Sequence, residues 1–316
     1  MSSSEYRRRE ALRQIAADTL TAIKAGSYDL KNTIHYLHTK DVQRNTCFYP
    51  PHSLSNWSSP PTNQSAHSHV VETYISIVEI STLNCARLLS RTLRNNPHEH
   101  QSIGVLNFAS ATKPGGGFQN GAQAQEESIA RSSTLFPTLL TDNAQNFYNV
   151  HKSDARNPYY THSIIYSPGV EVFRDDDGGW TKPIAVDVLT SAAVNAEEVR
   201  QSNHARQRGR TATEQEIESV MKERMAQILF LFEERGVRNL VLGSFGTGVF
   251  QNDVRVVARL WAELLSVPGA RFGRSFDRAF FAILGRKTFV DFGNAFNDRT
   301  HDQESQQGPP KAANGA

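Results

Sequence analysis

Residues 103–127 read IGVLNFASATKPGGGFQNGAQAQEE, and this stretch decides the fold. Ile103 to Phe108 is a short apolar run, the pattern of a strand buried on both faces of a parallel sheet. A glycine-rich loop, Lys113-Pro114-Gly115-Gly116-Gly117-Phe118, follows at once. Beyond it a helix is predicted over 123–140, with Ile129, Leu135, Leu139 and Leu140 as its apolar positions. A buried strand that turns through glycines into a helix is the repeating unit of an α/β sheet. Ligands of such sheets sit outside the carboxyl ends of the strands.

The same unit recurs downstream. Asn239 to Gly243 reads as a strand, Gly243-Ser244-Phe245-Gly246-Thr247-Gly248-Val249-Phe250 as a second glycine-rich loop, and Asn252 or Asp253 as the cap of a helix to about Leu265. Further strands are predicted at 70–80, 163–167, 184–190 and 278–284, and helices at 5–25, 82–93 and 213–235. The last of these opens on a capping-box spacing, Thr213 and Glu216, and stops at Gly236. Residues 50–69 read as a surface loop, 198–212 as a solvated loop or helix extension, and the tail from 299 as disordered. Alternating strands and helices predict an α/β fold with a mixed, mostly parallel sheet, helices on both faces and an N-terminal helical extension. We expect an extension over 1–69 packed on a single core over 70–298.

The whole chain has 316 residues, 38% hydrophobic, with a net charge of +2. That balance argues against a dedicated nucleic-acid clamp. Cys47 and Cys85 make neither a disulfide framework nor a metal motif. No signal-peptide or membrane-spanning run is visible, so an intracellular protein of cytoplasm or nucleus is expected, and Asn56 and Asn63 read as chance glycosylation matches. Asp175-Asp176-Asp177-Gly178 lacks the twelfth-position glutamate of a calcium loop and reads as a solvated turn. His67, His69, His98 and His100 read as surface histidines, and Arg206, Arg208 and Arg210 as a solvated basic cluster. Neither glycine loop is a Walker A motif or a G-x-G-x-x-G fingerprint. Consecutive backbone N–H groups at a helix start can still bind an anion.

Gln125-Glu126-Glu127 opens the helix behind the first loop. Acidic residues favour a helix's first turn for dipole reasons alone. Neighbours on a helix point about 100° apart, so the two glutamates cannot flank one bond like the usual pair of glycosidase carboxylates. If both act, one moves a proton and the other grips a hydroxyl. The dipole favours an ionised carboxylate, whereas a general acid must hold a proton. Burial and a nearby diphosphate oppose the dipole, so Glu127 is expected to hold its proton chiefly with substrate bound.

The run from Asn107 through the triple glycine to Gln125-Glu126-Glu127 resembles the signature of the poly(ADP-ribose) glycohydrolases, in the macrodomain superfamily. The flanks AQAQEESIAR (122–131), YSPGVEVFRDDDG (166–178) and GSFGTGVF (243–250) resemble its microbial branch. The resemblance covers roughly Arg7 to Asn297. It implies a macrodomain-like core that binds ADP-ribose, with Glu127 as catalytic acid/base and Glu126, aided by Asn107, holding ribose hydroxyls. It implies that Gly115, Gly116 and Gly117, with Phe118 and Gln125, surround the catalytic ribose. Gly246, Thr247 and Gly248 would form the diphosphate loop, with Ser244, Phe245 and Val249 beside it among the substrate contacts; Phe250 would pack on a ribose, and Phe281 would stack on adenine. No metal or cofactor is implied. The implied substrate is poly(ADP-ribose), or ADP-ribosylated proteins, bound by a monomer with no role for nucleic acid or membrane. A non-catalytic ADP-ribose reader and a mono-ADP-ribosyl-protein hydrolase are the alternatives.

Overall fold

The structure, a computed structural model, describes residues 3–59, 71–154 and 156–306. Helix α1 (Ser3–Ala25) leads into a hairpin of β1 (Ser27–Leu30) and β2 (Thr33–Tyr36), a short helix α2 (Thr39–Arg44) and strand β3 (Cys47–Tyr49). Strand β4 (Tyr74–Val78), helix α3 (Thr82–Arg94) and strand β5 (Ile103–Phe108) follow. A 3-10 turn (Phe118–Asn120) then precedes helices α4 (Gln125–Ser132), α5 (Leu135–Leu139) and α6 (Asp142–Ser153). Strands β6 (Ile164–Arg174) and β7 (Trp180–Ser191) lead to α7 (Ala196–Gln201), α8 (Asn203–Arg208) and α9 (Arg210–Glu234). The chain continues through β8 (Asn239–Leu242), α10 (Val254–Leu265), β9 (Arg278–Ala282) and α11 (Arg286–Gln306).

Seven strands form one sheet in the order β3-β6-β7-β5-β8-β9-β4. From β7 to β4 every pairing is parallel, and β6 and β3 add an antiparallel edge. Successive side chains of a strand point to opposite faces, and here both faces are covered. Leu106, Leu189, Leu240 and Leu242 face α9, α10 and α11, among Met225, Trp261 and Phe292. Val105, Val188 and Val241 face the other way, against Leu89 of α3, Ile129 of α4 and Phe147 of α6. Two-sided burial explains why β5 reads as an unbroken apolar run. Gly104 admits α9 onto the sheet: a Cβ there would lie 2.6 Å from the Phe232 ring.

The helix predicted over 123–140 is two helices. Ser133 is extended and bridges Val172 of β6, Thr134 donates its N–H to Glu171 O, and Pro137 has no N–H to give a longer helix. Strands β6 and β7 outrun the predicted segments because Pro168 and Gly169 sit in a register shift. Asp187 supports it by accepting from the Gly169 N–H (2.9 Å) and the Tyr166 hydroxyl (2.7 Å). Residues 198–212 are helical for most of their length. Thr213 does not cap; it lies inside α9 and its hydroxyl donates to Gly209 O (2.9 Å). Helix α11 runs on to Gln306, past the predicted end of order at 299. Part of the predicted 50–69 loop, with His67 and His69, lies outside the described residues. Among the described residues no helix is long and apolar enough to cross a membrane.

The N-terminal segment is packed against the first glycine loop and its helix. Ala16 of α1 is buried with Phe118 and Ala130. Arg9 Nε donates to Asn120 O (2.7 Å) and the Thr19 hydroxyl to Arg131 O (2.7 Å). Gly121 has φ +76°, and a Cβ there would lie 2.4 Å from Arg9 O, so this turn must be glycine for α1 to sit so close.

Candidate active site

Strands β5 and β8 are neighbours, so the loops that leave their carboxyl ends are neighbours too. Phe108, the last residue of β5, packs its ring 5.6 Å from that of Phe245. Gly246 (φ +74°) lies against Ala193, just past β7: a Cβ on Gly246 would be 2.4 Å from the Ala193 Cβ. The Asn252 amide pins both sides, donating to Val194 O (2.8 Å) and Gly246 O (3.0 Å). Behind them, Tyr160 stands 5.5 Å from His151 and 5.8 Å from Phe250, ring to ring. The exits of β5, β7 and β8 thus form one continuous rim.

Both glutamates of α4 are buried there, Glu126 at 2% and Glu127 at 9% exposure. They are held differently. Glu126 Oε2 accepts from the Ser110 N–H (2.7 Å), and its Oε1 faces Asn107 Nδ2 at 3.5 Å. Asn107 Nδ2 also donates to the Thr190 hydroxyl (3.2 Å). Glu127 Oε1 accepts from the Gly117 N–H (2.9 Å), while its Oε2 is buried with no hydrogen-bond partner, as is Asn107 Oδ1. A buried polar atom without a partner costs free energy, and such atoms are paired in nearly all of a folded interior. Here one of them, Glu127 Oε2, belongs to the carboxylate that the triple glycine covers.

Gly116 shows why the centre of this loop must lack a side chain. Gly116 has φ +58°, and a Cβ on it would lie 2.3 Å from Glu127 Oε1 and 3.2 Å from Glu126 Oε2. The backbone therefore lies on the two carboxylates themselves.

The sequence reading places Gln125 among substrate contacts, but its amide is spent on the protein. Strand β8 pairs with β5 only as far as Val105, which leaves the end of β5 short of a partner. Gln125 Oε1 accepts from the Phe108 N–H (2.9 Å), and Nε2 donates to Leu106 O (2.7 Å) and the Thr82 hydroxyl (3.2 Å). It does for β5 what a further strand would do, and so fixes the start of α4.

The chain matches the family described as "Microbial-type PARG, catalytic domain" over residues 16–175. It is 35% identical to the crystal structure of poly(ADP-ribose) glycohydrolase (PARG) from Thermomonospora curvata, with a TM-score of 0.77, covering 92% of this chain and 99% of that one. The chain belongs to the microbial-type PARG family. The T. curvata PARG bound to the inhibitor ADP-HPD matches with the same identity and coverage at a TM-score of 0.75. The Deinococcus radiodurans PARG in complex with ADP-ribose is 28% identical with a TM-score of 0.69, covering 85% of this chain and 98% of that one. A comparison with curated proteins finds no match.

Within this PARG fold, the aromatic expectations divide. Phe250 is half-buried on the rim beside Tyr160, and Val249 is exposed beside it. Ser244, Gly246, Thr247 and Gly248 also stand at the rim. Phe118 and Phe245 are fully buried and support the loops from beneath. Phe281 is a correction. It is 0% exposed in the core between Trp261, Phe292 and Phe296, on the β9 face that α10 and α11 cover, and it offers no face to a ligand. Sequence reasoning missed Ser110, Thr190 and Tyr160. The usable signal for Ser110 and Thr190 was position, just beyond or at the end of a buried strand; Tyr160, on the segment that enters β6, carried no such signal. The Asp175–Gly178 turn is capped by Asp175, and Asp176 ties it to α3 through Asn84 (2.7 Å).

Burial, with the neighbouring Glu127 charge adding to it, raises the Glu126 carboxyl from its ordinary 4.5 to about 8. The shift favours the protonated form of Glu126 near neutral pH. A folded-state value above the unfolded one means the folded protein holds the extra proton. This contribution to stability is full below about 4.5 and is lost as pH rises through about 8. Glu126→Gln is expected to remove that dependence: its melting temperature falls less than the wild type's between about pH 5 and about pH 9. Parallel melting curves across that range would show that Glu126 is ionised throughout.

Proposed function

We propose that this chain hydrolyses the ribose–ribose O-glycosidic bond of poly(ADP-ribose) from the chain end and releases ADP-ribose. The observation that carries the reading is the asymmetry at Glu127, with one oxygen fixed by the Gly117 N–H and the other buried and free for a reacting group. In the proposed cycle the Glu127 carboxyl gives its proton to the departing ribose oxygen. The C–O bond breaks towards that oxygen, leaving an oxocarbenium-like ribose whose charge the adjacent diphosphate stabilises. The Glu127 carboxylate then takes a proton from the water that attacks the anomeric carbon, and the acid is restored. Glu126, with Asn107, holds the ribose hydroxyls, and the 244–250 loop carries the diphosphate on its backbone amides. Family membership and the ADP-ribose and ADP-HPD complexes of similar enzymes support this reading. We further place the protein inside the cell, as a monomer whose partners are the polymer or ADP-ribosylated proteins.

The test is a product analysis with end-labelled poly(ADP-ribose) and a mono-ADP-ribosylated protein as parallel substrates. Free ADP-ribose is expected from the polymer from the earliest time points. Early oligomers would mean internal cleavage, release from the mono-modified protein alone would favour the side-chain hydrolase, and binding without release would leave a reader.

A further inference from the structure

Helix α9 carries one residue that its packing does not explain. Arg224 lies among core positions such as Met221, Met225 and Ile228 and is 0% exposed. Taking a guanidinium out of water costs several kcal/mol unless an anion or a full set of acceptors compensates. No carboxylate lies within ion-pair distance of it among the described residues. Of the acids on its own helix, Glu214 is engaged with Arg200, Glu216 with Arg208, Glu218 with Arg259 and Glu233 with Arg271, and Glu234 is exposed at its end. Glu223 accepts from Trp57 and Gln227. Arg224 has only carbonyls. Nη1 donates to Ala192 O (2.8 Å) and Nη2 to Tyr159 O (2.8 Å) and Tyr160 O (3.4 Å), while Nε is buried with no partner.

Those carbonyls place the charge beneath the rim. Ala192 precedes Ala193, which abuts Gly246, and Val194, which is tied to Gly246 through Asn252. Tyr160 packs on Phe250 at the far end of the same loop. A cation held in protein rather than water acts strongly over such a span, because little solvent screens it. Its field reaches the neighbours: after burial, Arg224 is the next cause that lowers His151, to about 4, and His162, to about 3.

We propose that Arg224 is a buried countercharge for the substrate diphosphate, acting from beneath the Gly246–Gly248 loop without touching the ligand. The proposal rests on the reading of that loop as the diphosphate site. It makes Arg224 a positioning residue whose unpaired charge the ligand completes.

The experiment is calorimetric binding of ADP-ribose and of adenosine, which lacks the diphosphate, to the wild type, Arg224→Gln and Arg224→Lys. Arg224→Gln is expected to lower ADP-ribose affinity by about tenfold or more while adenosine affinity moves less than about threefold. Arg224→Lys, which keeps a charge, is expected to restore most of the difference. Equal losses for both ligands, or no loss for either, would overturn the proposal. Should Arg224→Gln not fold, the wild type itself decides. A buried charge resists screening, so the ADP-ribose to adenosine ratio should stay within about threefold between about 0.05 and about 0.5 M salt. A fall of about tenfold or more would assign the diphosphate to exposed cations. Failure of the wild type to bind ADP-ribose would remove the site reading itself. Binding that ignores Arg224 would remove only this inference.

Discussion

Replacing Glu127 with glutamine is expected to slow ADP-ribose release from the polymer by about a thousandfold or more, with ADP-ribose affinity held within about threefold. The amide has the shape of the carboxyl, and its oxygen can still accept the Gly117 N–H that now holds Oε1 at 2.9 Å. What it cannot do is give up and retake a proton, and the proposed cycle needs both transfers from one group. No neighbour can substitute. Glu126 has one oxygen on the Ser110 N–H and the other beside Asn107, and its position on α4 points it about 100° away. A thousandfold loss corresponds to about 4 kcal/mol of transition-state stabilisation, ordinary for a removed acid/base. Single-turnover release of ADP-ribose together with calorimetric affinity checks both halves. A variant that keeps more than about a tenth of the wild-type rate would take the acid/base role away from Glu127.

The parts of this site that were legible in the sequence are those encoded locally. The apolar run of β5, the glycines that follow and the acidic start of α4 lie within 25 consecutive residues, 103–127, and each has a local physical signature. What was not legible depends on partners far along the chain. Gln125 looks like a ligand contact until β8 is seen to leave β5 after Val105, which creates the need that its amide meets. Phe281 and Phe280 point to opposite faces of β9, and only the helices laid on the Phe281 face, α10 with Trp261 and α11 with Phe292 and Phe296, decide which is sealed. The helix over 123–140 breaks because Ser133 finds Val172, nearly forty positions on. Arg224 occupies a charged letter in a charged helix, and its burial becomes visible only when α9 lies on the sheet.

The triple glycine offers a second decisive test, because two of its members carry the same backbone strain and different neighbours. Gly115 (φ +67°) and Gly116 (φ +58°) are both left-handed, so alanine at either costs about 1–2 kcal/mol of backbone free energy. At Gly115 the new methyl would meet the rings of Phe118 and Phe136 at 3.1 Å. At Gly116 it would meet Glu127 Oε1 at 2.3 Å and Cδ at 2.9 Å, which no rearrangement short of moving the carboxylate can relieve. Displacing a reacting group by about an ångström costs on the order of a hundredfold in rate. Gly116→Ala is therefore expected to lower the turnover number by about a hundredfold or more, while Gly115→Ala lowers it by less than about tenfold, at comparable losses of melting temperature. Turnover and thermal denaturation of the two variants, measured side by side, separate strain from carboxylate placement. Equal losses of turnover would mean that the shape of the loop sets the rate, and that the contact between Gly116 and Glu127 does not.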